Sequence, residues 1–252
     1  MTARKQASRF WLFACALLLF IGLVALGSWQ LQRRVWKLDL IERVTQRVAA
    51  PVVDAPGPAQ WPQVNAAQDE YRHIRLTGRF IPGRDVRVQA VTRLGSGFWV
   101  LSPLQGADGT VVLVNRGFVP PQSEPPAPPE GPVTVTGLLR LSEPGGGFLR
   151  QNDPAADRWF SRDVIAIAQA RGLVGLGPVA PYFVDTDATP AGREPAPGQP
   201  VGGLTVIAFA NSHLVYALTW YALALMVAGA AIALARQNIK HHDPHRSPLG
   251  QD

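Results

Sequence analysis

Apolar positions along this chain fall into two long runs, separated by a stretch with a different period. The first run extends from Phe10 to about Leu26. With Gly27, Ser28 and Trp29 it reaches the roughly 20 residues needed to cross a bilayer core. The second begins at Asn211 and continues to about Ala235. Between them, from Tyr71, apolar residues alternate with polar ones, as in half-buried strands. His73–Phe80, Asp85–Thr92, Phe98–Leu104, Thr110–Val114 and Val133–Leu141 read as strands, the last interrupted at Gly137. Turns at Pro82–Gly83, Gly95–Gly97 and Gly106–Gly109 separate the first four. Antiparallel hairpins and a meander follow from this spacing, rather than parallel strands with crossover helices. Ser161 is expected to cap a short helix over 163–170 that Gly172 stops. Tyr182–Asp185 and Leu204–Ile207 read as the last strands.

These elements predict a membrane α+β protein. Two transmembrane helices, 10–29 and 211–235, flank an antiparallel β-rich domain, barrel- or sandwich-like, over 71–209. Leu38, Ile41, Val44 and Val48 continue a helical period past the first span, giving a juxtamembrane helix over 30–50. Pro51, Pro56, Pro58 and Pro62 break it, so 51–70 reads as an extended linker. The Pro120–Pro132 and Pro190–Gly203 stretches read as exposed loops. A cleaved signal peptide competes for the first run. The run is long, however, and no small-x-small cleavage site precedes a polar start.

Charge refines the topology. The formal net charge is +6, and Arg4, Lys5, Arg9, Arg33, Arg34, Lys37, Arg236, Lys240 and Arg246 flank the apolar runs. This placement favours lipid headgroups over nucleic acid, which calls for a basic stripe on the folded domain. Residues 1–9 and the basic tail 236–252 are expected in the cytoplasm, with the central domain outside. The single cysteine, Cys15, lies in the first run, so an intramolecular disulfide and a cysteine metal cluster are both excluded. His241, His242 and His245 read as part of a solvated tail. Asp69 and Glu70 read as a solvated turn. No G-x-S-x-G or H-E-x-x-H motif occurs, and no acid–base pair suggests hydrolysis or proteolysis.

His213, at the mouth of the second run, is the residue with most chemistry to offer, since an ionisable group there needs a task or a partner. On a helical wheel His213, Ala217, Trp220, Ala224 and Ala231 share a stripe, with Tyr216 and Val227 beside it. In the first span Gly22, Leu26, Trp29 and Arg33 share a face that continues to Trp36. With both termini on one side, His213, Arg33 and Arg34 reach the same membrane surface. A neutral imidazole can ligate haem iron, and arginine can pair with propionates. From pattern alone, a hydrogen-bonded histidine explains His213 as well. Trp29, Trp36 and the arginines equally fit an interfacial belt.

Several motifs, in their order and spacing, give the chain a resemblance. They are Leu26–Gly27–Ser28–Trp29–Gln30–Leu31–Gln32–Arg33 with Trp36–Lys37, Tyr71–Arg72–His73–Ile74 with Gly78–Arg79–Phe80, Val112–Pro120, and Asn211 with His213–Tyr221. Together they resemble the SURF1 (Surfeit locus protein 1, Shy1-like) family over nearly the whole chain. The resemblance implies a non-enzymatic assembly factor for haem–copper cytochrome oxidase, resident in the cell inner membrane. It implies haem a as cofactor, with His213 as axial ligand of the iron. The implied partners are oxidase subunit I, haem a synthesis and assembly proteins, and membrane lipid, with no nucleic acid. Tyr216, Trp220, Trp29, Arg33 and Arg34 complete the expected cofactor-binding set, the arginines by geometry alone. The few residues before the first run leave no room for a mitochondrial presequence, so a bacterial member is expected. A cofactor-free membrane scaffold that stabilises nascent subunit I remains the alternative.

Overall fold

A computed structural model describes residues 2–147, 149–189, 198–205 and 211–240. The chain forms two compact units, one from residues Met1–Glu42 with Ala208–Asp252 and the other from Arg43–Ile207. Two apolar helices enclose a β-rich domain in sequence. Helix α1 spans Thr2–Ala49 and helix α3 spans His213–Lys240, and both are long and apolar enough to cross a membrane. A short helix, α2, covers Val164–Ala170. The juxtamembrane segment is continuous with the first span, because no breaker intervenes between Leu26 and Pro51.

The domain contains seven strands: β1 (Val53–Asp54), β2 (His73–Phe80), β3 (Val86–Thr92), β4 (Gly95–Gly106), β5 (Val111–Val119), β6 (Pro132–Leu141) and β7 (Val179–Thr186). Their order is β1-β2-β6-β7-β5-β4-β3, and β2 also pairs with β4. That extra pairing closes β2, β6, β7, β5 and β4 into a barrel, which leaves β1 and β3 as flanking strands. Closure runs through Gly78–Phe80 against Leu104–Gly106. Gly78 is needed there, since a Cβ would lie 2.3 Å from the Gln105 carbonyl oxygen.

Most of the expected strands form where alternation places them, but pairing differs in two respects. The ladder is not wholly antiparallel, because β5–β7 and β1–β2 run parallel. Strand β6 passes through Gly137 without interruption, since that residue pairs with Ile74 on one side and Thr186 on the other. The strand expected at Leu204–Ile207 extends beyond the described residues, and its described part, Leu204 and Thr205, joins no ladder. The tail histidines and most of the Pro190–Gly203 loop also lie outside the described residues.

The proline-rich 51–70 segment is built into the domain. Its β1 pairs with β2, and Trp61 packs against the cluster of Ile74, Val112, Leu139 and Tyr182. Trp61 Nε1 and the Tyr182 hydroxyl both donate to the Pro56 carbonyl, each at 2.8 Å. Prolines remove backbone donors but leave carbonyls free to accept, which allows this arrangement. A second cluster on the opposite sheet face joins Val88, Leu101, Leu113 and Phe183 to Trp159 and Ile167. Strand β5 is thus buried on both faces. Asp163 caps α2, accepting from the Ala166 amide. Ser161, the expected cap, instead accepts from the Gly146 amide and from Asn152.

A charge network crosses the barrel wall. Asp185 on β7 is buried, and its carboxylate receives Arg140 and Arg162 at 3.1 Å each. Asn115 and Thr205 donate to it as well. Arg140 also binds Glu70 at 2.7 Å, and both arginines reach Glu143. Burial works against the Arg140 charge, but Asp185 and Glu70 outweigh it, so its pKa is raised. Asp69 is buried too, accepting from the Asn65 amide and from Arg72. The Asp69–Glu70 pair is therefore an anchor, not a solvated turn. We expect Asp185→Ala to destabilise the domain by roughly 3 kcal/mol, because two half-buried guanidinium groups lose their most buried counter-charge and keep only Glu70 and Glu143. Denaturant unfolding followed by tryptophan fluorescence measures this, and an unchanged midpoint would contradict it.

Candidate functional site

The membrane-spanning unit pairs α1 with α3 through polar and small side chains. His213 Nδ1 lies 2.8 Å from Gln30 Oε1. Ser28 Oγ and the Tyr221 hydroxyl are 3.0 Å apart. Gly27 lies under the Tyr221 ring, where a Cβ would come within 2.8 Å of a ring carbon. Ala217 and Ala224 are buried on α3, as are Leu23 and Gly27 on α1. Small residues permit close backbone approach, and hydrogen bonds satisfy groups that lipid cannot.

The less exposed positions on α1 recur at Phe13, Ala16, Phe20, Leu23, Gly27, Gln30 and Arg34. On α3 they recur at His213, Ala217, Trp220, Ala224, Val227 and Ala231. Steps of three and four alternate along each of these rows, as in the seam of a left-handed helix pair, with Ser28 and Tyr221 partly buried beside them. The α3 stripe is the expected one. On α1 the seam falls one position round from Gly22, Leu26, Trp29 and Arg33. There Gly27 admits the Tyr221 ring, and Trp29 is left exposed.

The structure therefore brings some of the expected residues together and separates others. His213, Trp220 and Arg34 are partly buried on seam positions. Tyr216 and Trp29 are each 54% exposed. Arg33 is exposed, and its guanidinium sits 4.5 Å from the centre of the Trp36 ring. Gln30 escaped the sequence reading, though it lies in the Trp29–Arg33 motif. An amide at helical spacing from Gly27 and Arg34 was the available signal.

The Gln30 contact decides what His213 can do. With Oε1 accepting, Nδ1 carries the proton and Nε2 keeps its lone pair. This is the tautomer that leaves Nε2 open to a metal, and an outer partner on the other nitrogen is common for such ligands. Among the described residues no group of three or more His, Cys, Asp or Glu side chains could cage a bare ion. Of the residues that would hold the haem the sequence motifs imply, His213, Trp220 and Arg34 lie on the helix seam and Arg33, Trp29 and Tyr216 on exposed faces. Asn211, just before α3, has a buried Oδ1 without a partner.

The β domain offers a pocket of about 400 Å³, lined by Leu76, Leu104, Val112 and Tyr182 with Asp54, Arg75 and Asp108 at its rim. Its ionisable groups are already committed. Arg75 holds Asp54 at 2.7 Å. Hydrogen bonds from the Thr110 hydroxyl and amide lower the Asp108 pKa. Burial pushes the Tyr182 phenol up to about 12. His73, the histidine of the β domain, binds Asp187 at 2.8 Å.

Comparison with known proteins bears on the whole arrangement. The family model described as "SURF1 family" matches residues 17–225, which include both faces of the helix pair and the entire barrel. The chain belongs to the SURF1 family. It is 33% identical to Surfeit locus protein 1 of Xenopus tropicalis over 229 residues, covering 82% of this chain and 70% of that protein. It is 32% identical to Surfeit locus protein 1 of Homo sapiens, covering 82% and 72% respectively. A SURF1-like protein of Monosiga brevicollis is 32% identical, covering 84% of this chain and 83% of that one. These SURF1 relatives align with most of the chain.

The Gln30–His213 geometry is open to a direct check. In the full-length protein labelled with ¹⁵N-histidine, His213 should show the Nδ1-protonated tautomer. Gln30→Leu should release it to the Nε2-protonated form usual for free imidazole. Identical nitrogen shifts in wild type and variant would show that Gln30 does not set the tautomer.

Proposed function

We propose that this SURF1 protein is a non-enzymatic assembly factor for haem–copper cytochrome oxidase that carries haem a as cargo. The observation that supports this most is the His213–Gln30 bond at the start of α3, which leaves Nε2 free on an imidazole held at one orientation. In this reading His213 ligates the iron and Gln30 keeps the ring aimed. Arg33 and Arg34 neutralise the anionic propionates near the headgroup level. Tyr216, Trp220 and Trp29 offer aromatic surface to the macrocycle. The small residues of the seam keep the two helices close enough to act as a unit.

A carrier must release its cargo, and a site with one protein ligand suits release better than an enclosing pocket. The acceptor is oxidase subunit I, and the donors are the proteins that make haem a. In this reading both termini lie in the cytoplasm, which the basic tail supports, and the barrel lies on the outer side of the cell inner membrane. His213 then stands at the outer surface, and the barrel is free to hold the acceptor subunit.

The test is haem a content after purification from a host that makes haem a. Wild type should carry haem a with a defined Soret band. His213→Ala should lose most of it, and Gln30→Leu should weaken binding by about 10–100-fold, as loss of an outer partner does. Equal haem a content and equal spectra in wild type and His213→Ala would remove the ligand role. Normal oxidase yield in that variant would favour the cofactor-free scaffold.

A further inference from the structure

The β3–β4 hairpin has a composition at odds with its position. Thr92 pairs with Gly95 across a two-residue turn made by Arg93 and Leu94. The turn is well defined, since the Leu94 amide donates to Thr92 Oγ1 at 3.1 Å. Turn tips favour Gly, Asn, Asp and Ser. Here Leu94 is 52% exposed and Val91, one strand position before Thr92, is 83% exposed. Leu149 joins them at 91%, brought alongside β3 by a 2.6 Å bond from Arg150 to Gln89. Apolar side chains grouped at an exposed tip and rimmed by polar residues mark an interaction site.

The charges around the tip indicate what it meets. Arg87, Arg93 and Arg150 have no carboxylate at ion-pair distance among the described residues. Elsewhere in the domain Arg72, Arg75, Arg116, Arg140, Arg158, Arg162 and Arg171 have one, whereas Arg47 and Arg84 bind backbone carbonyls and Arg79 has no carboxylate at ion-pair distance among the described residues. Arg87 lies over Phe98 and Arg150 over Phe160, which keeps both guanidinium groups beside apolar surface. The acid that feels Arg87, Asp157, is held at both oxygens by Arg171. Behind the tip, Ala90 packs with Phe118 and Leu204.

We propose that this hairpin is a membrane-docking element that inserts Leu94, Val91 and Leu149 among acyl chains while its arginines bind anionic phospholipid headgroups. Apolar side chains rimmed by unpaired cations are what an anionic bilayer surface selects. A docking surface for protein would ordinarily offset some of these arginines with acids of its own. The chain is tethered to the bilayer through two apolar helices, so the hairpin meets lipid at high effective concentration and modest contacts suffice. Docking would hold the barrel in one attitude at the membrane. This inference does not depend on haem binding.

The test uses the full-length protein with Cys15→Ser and a bimane label on Leu94→Cys, in nanodiscs with nitroxide-bearing lipids. A second label on Ala107→Cys marks the opposite end of β4. In discs containing phosphatidylglycerol, the Leu94→Cys label should be quenched by the lipid nitroxides and the Ala107→Cys label should not. Arg93→Gln or Arg150→Gln should each weaken docking about fivefold, and high salt should do the same. Equal quenching at the two positions, or no response to phosphatidylglycerol, would overturn the proposal. So would shielding that appears only when another membrane protein is added, which would assign the tip to a protein partner.

Discussion

A carboxylate inside a barrel wall can keep its charge only if cations and donors surround it. Asp185 sets that requirement for the β domain. It draws Arg140 from β6 and Arg162 from the segment before α2, and takes further donors from Asn115 on β5 and Thr205 near the chain exit. Glu70 and Glu143 then balance the arginines. Strands that are neighbours only in space are thus tied at one point, including the parallel β5–β7 pair. A buried network of this kind is a weak source of net stability compared with apolar packing. Its value lies in register, because a one-residue slip of β7 would carry Asp185 to the other face of the sheet.

The same rule acts within the helix pair, with lipid in place of protein interior. Hydrocarbon supplies no hydrogen bonds, so His213, Gln30, Ser28 and Tyr221 find one another across the seam. Gly27 and Ala217 provide the close approach that makes those bonds possible. A histidine held in this way has one nitrogen occupied and one available. The step from a packing contact to a ligand-ready imidazole is therefore small, and it rests on a single amide side chain.

Much of this was legible in the sequence, for reasons that differ by element. The two helices follow from long apolar runs, and β2 and β3 from period-two alternation. The α3 stripe from His213 to Ala231 follows from helical geometry on a run without breakers. Less legible were the features that depend on a partner. Pro51–Glu70 looks like a linker because its prolines exclude ladder bonds. Its role came from carbonyls that accept from Trp61 and Tyr182. Asp69 and Glu70 look solvated until Arg72 and Arg140 come near. On α1, a wheel cannot distinguish a face that pairs from one that meets headgroups, so the pairing of Gln30 with His213 was not legible.

By itself, the sequence determined that two apolar helices bracket a β domain, which residues alternate, and that one histidine stands at the start of the second helix. These are local properties, set by hydrophobic period and by Gly and Pro. Only the tertiary structure decided the closure of the barrel at Gly78, the parallel pairing of β5 with β7, the burial of Asp185 among arginines and the bond between Gln30 and His213. Each of these joins residues far apart in the chain, and no local period specifies the partner of a polar group. The partner is chosen by which donors and acceptors remain once the apolar faces have been packed.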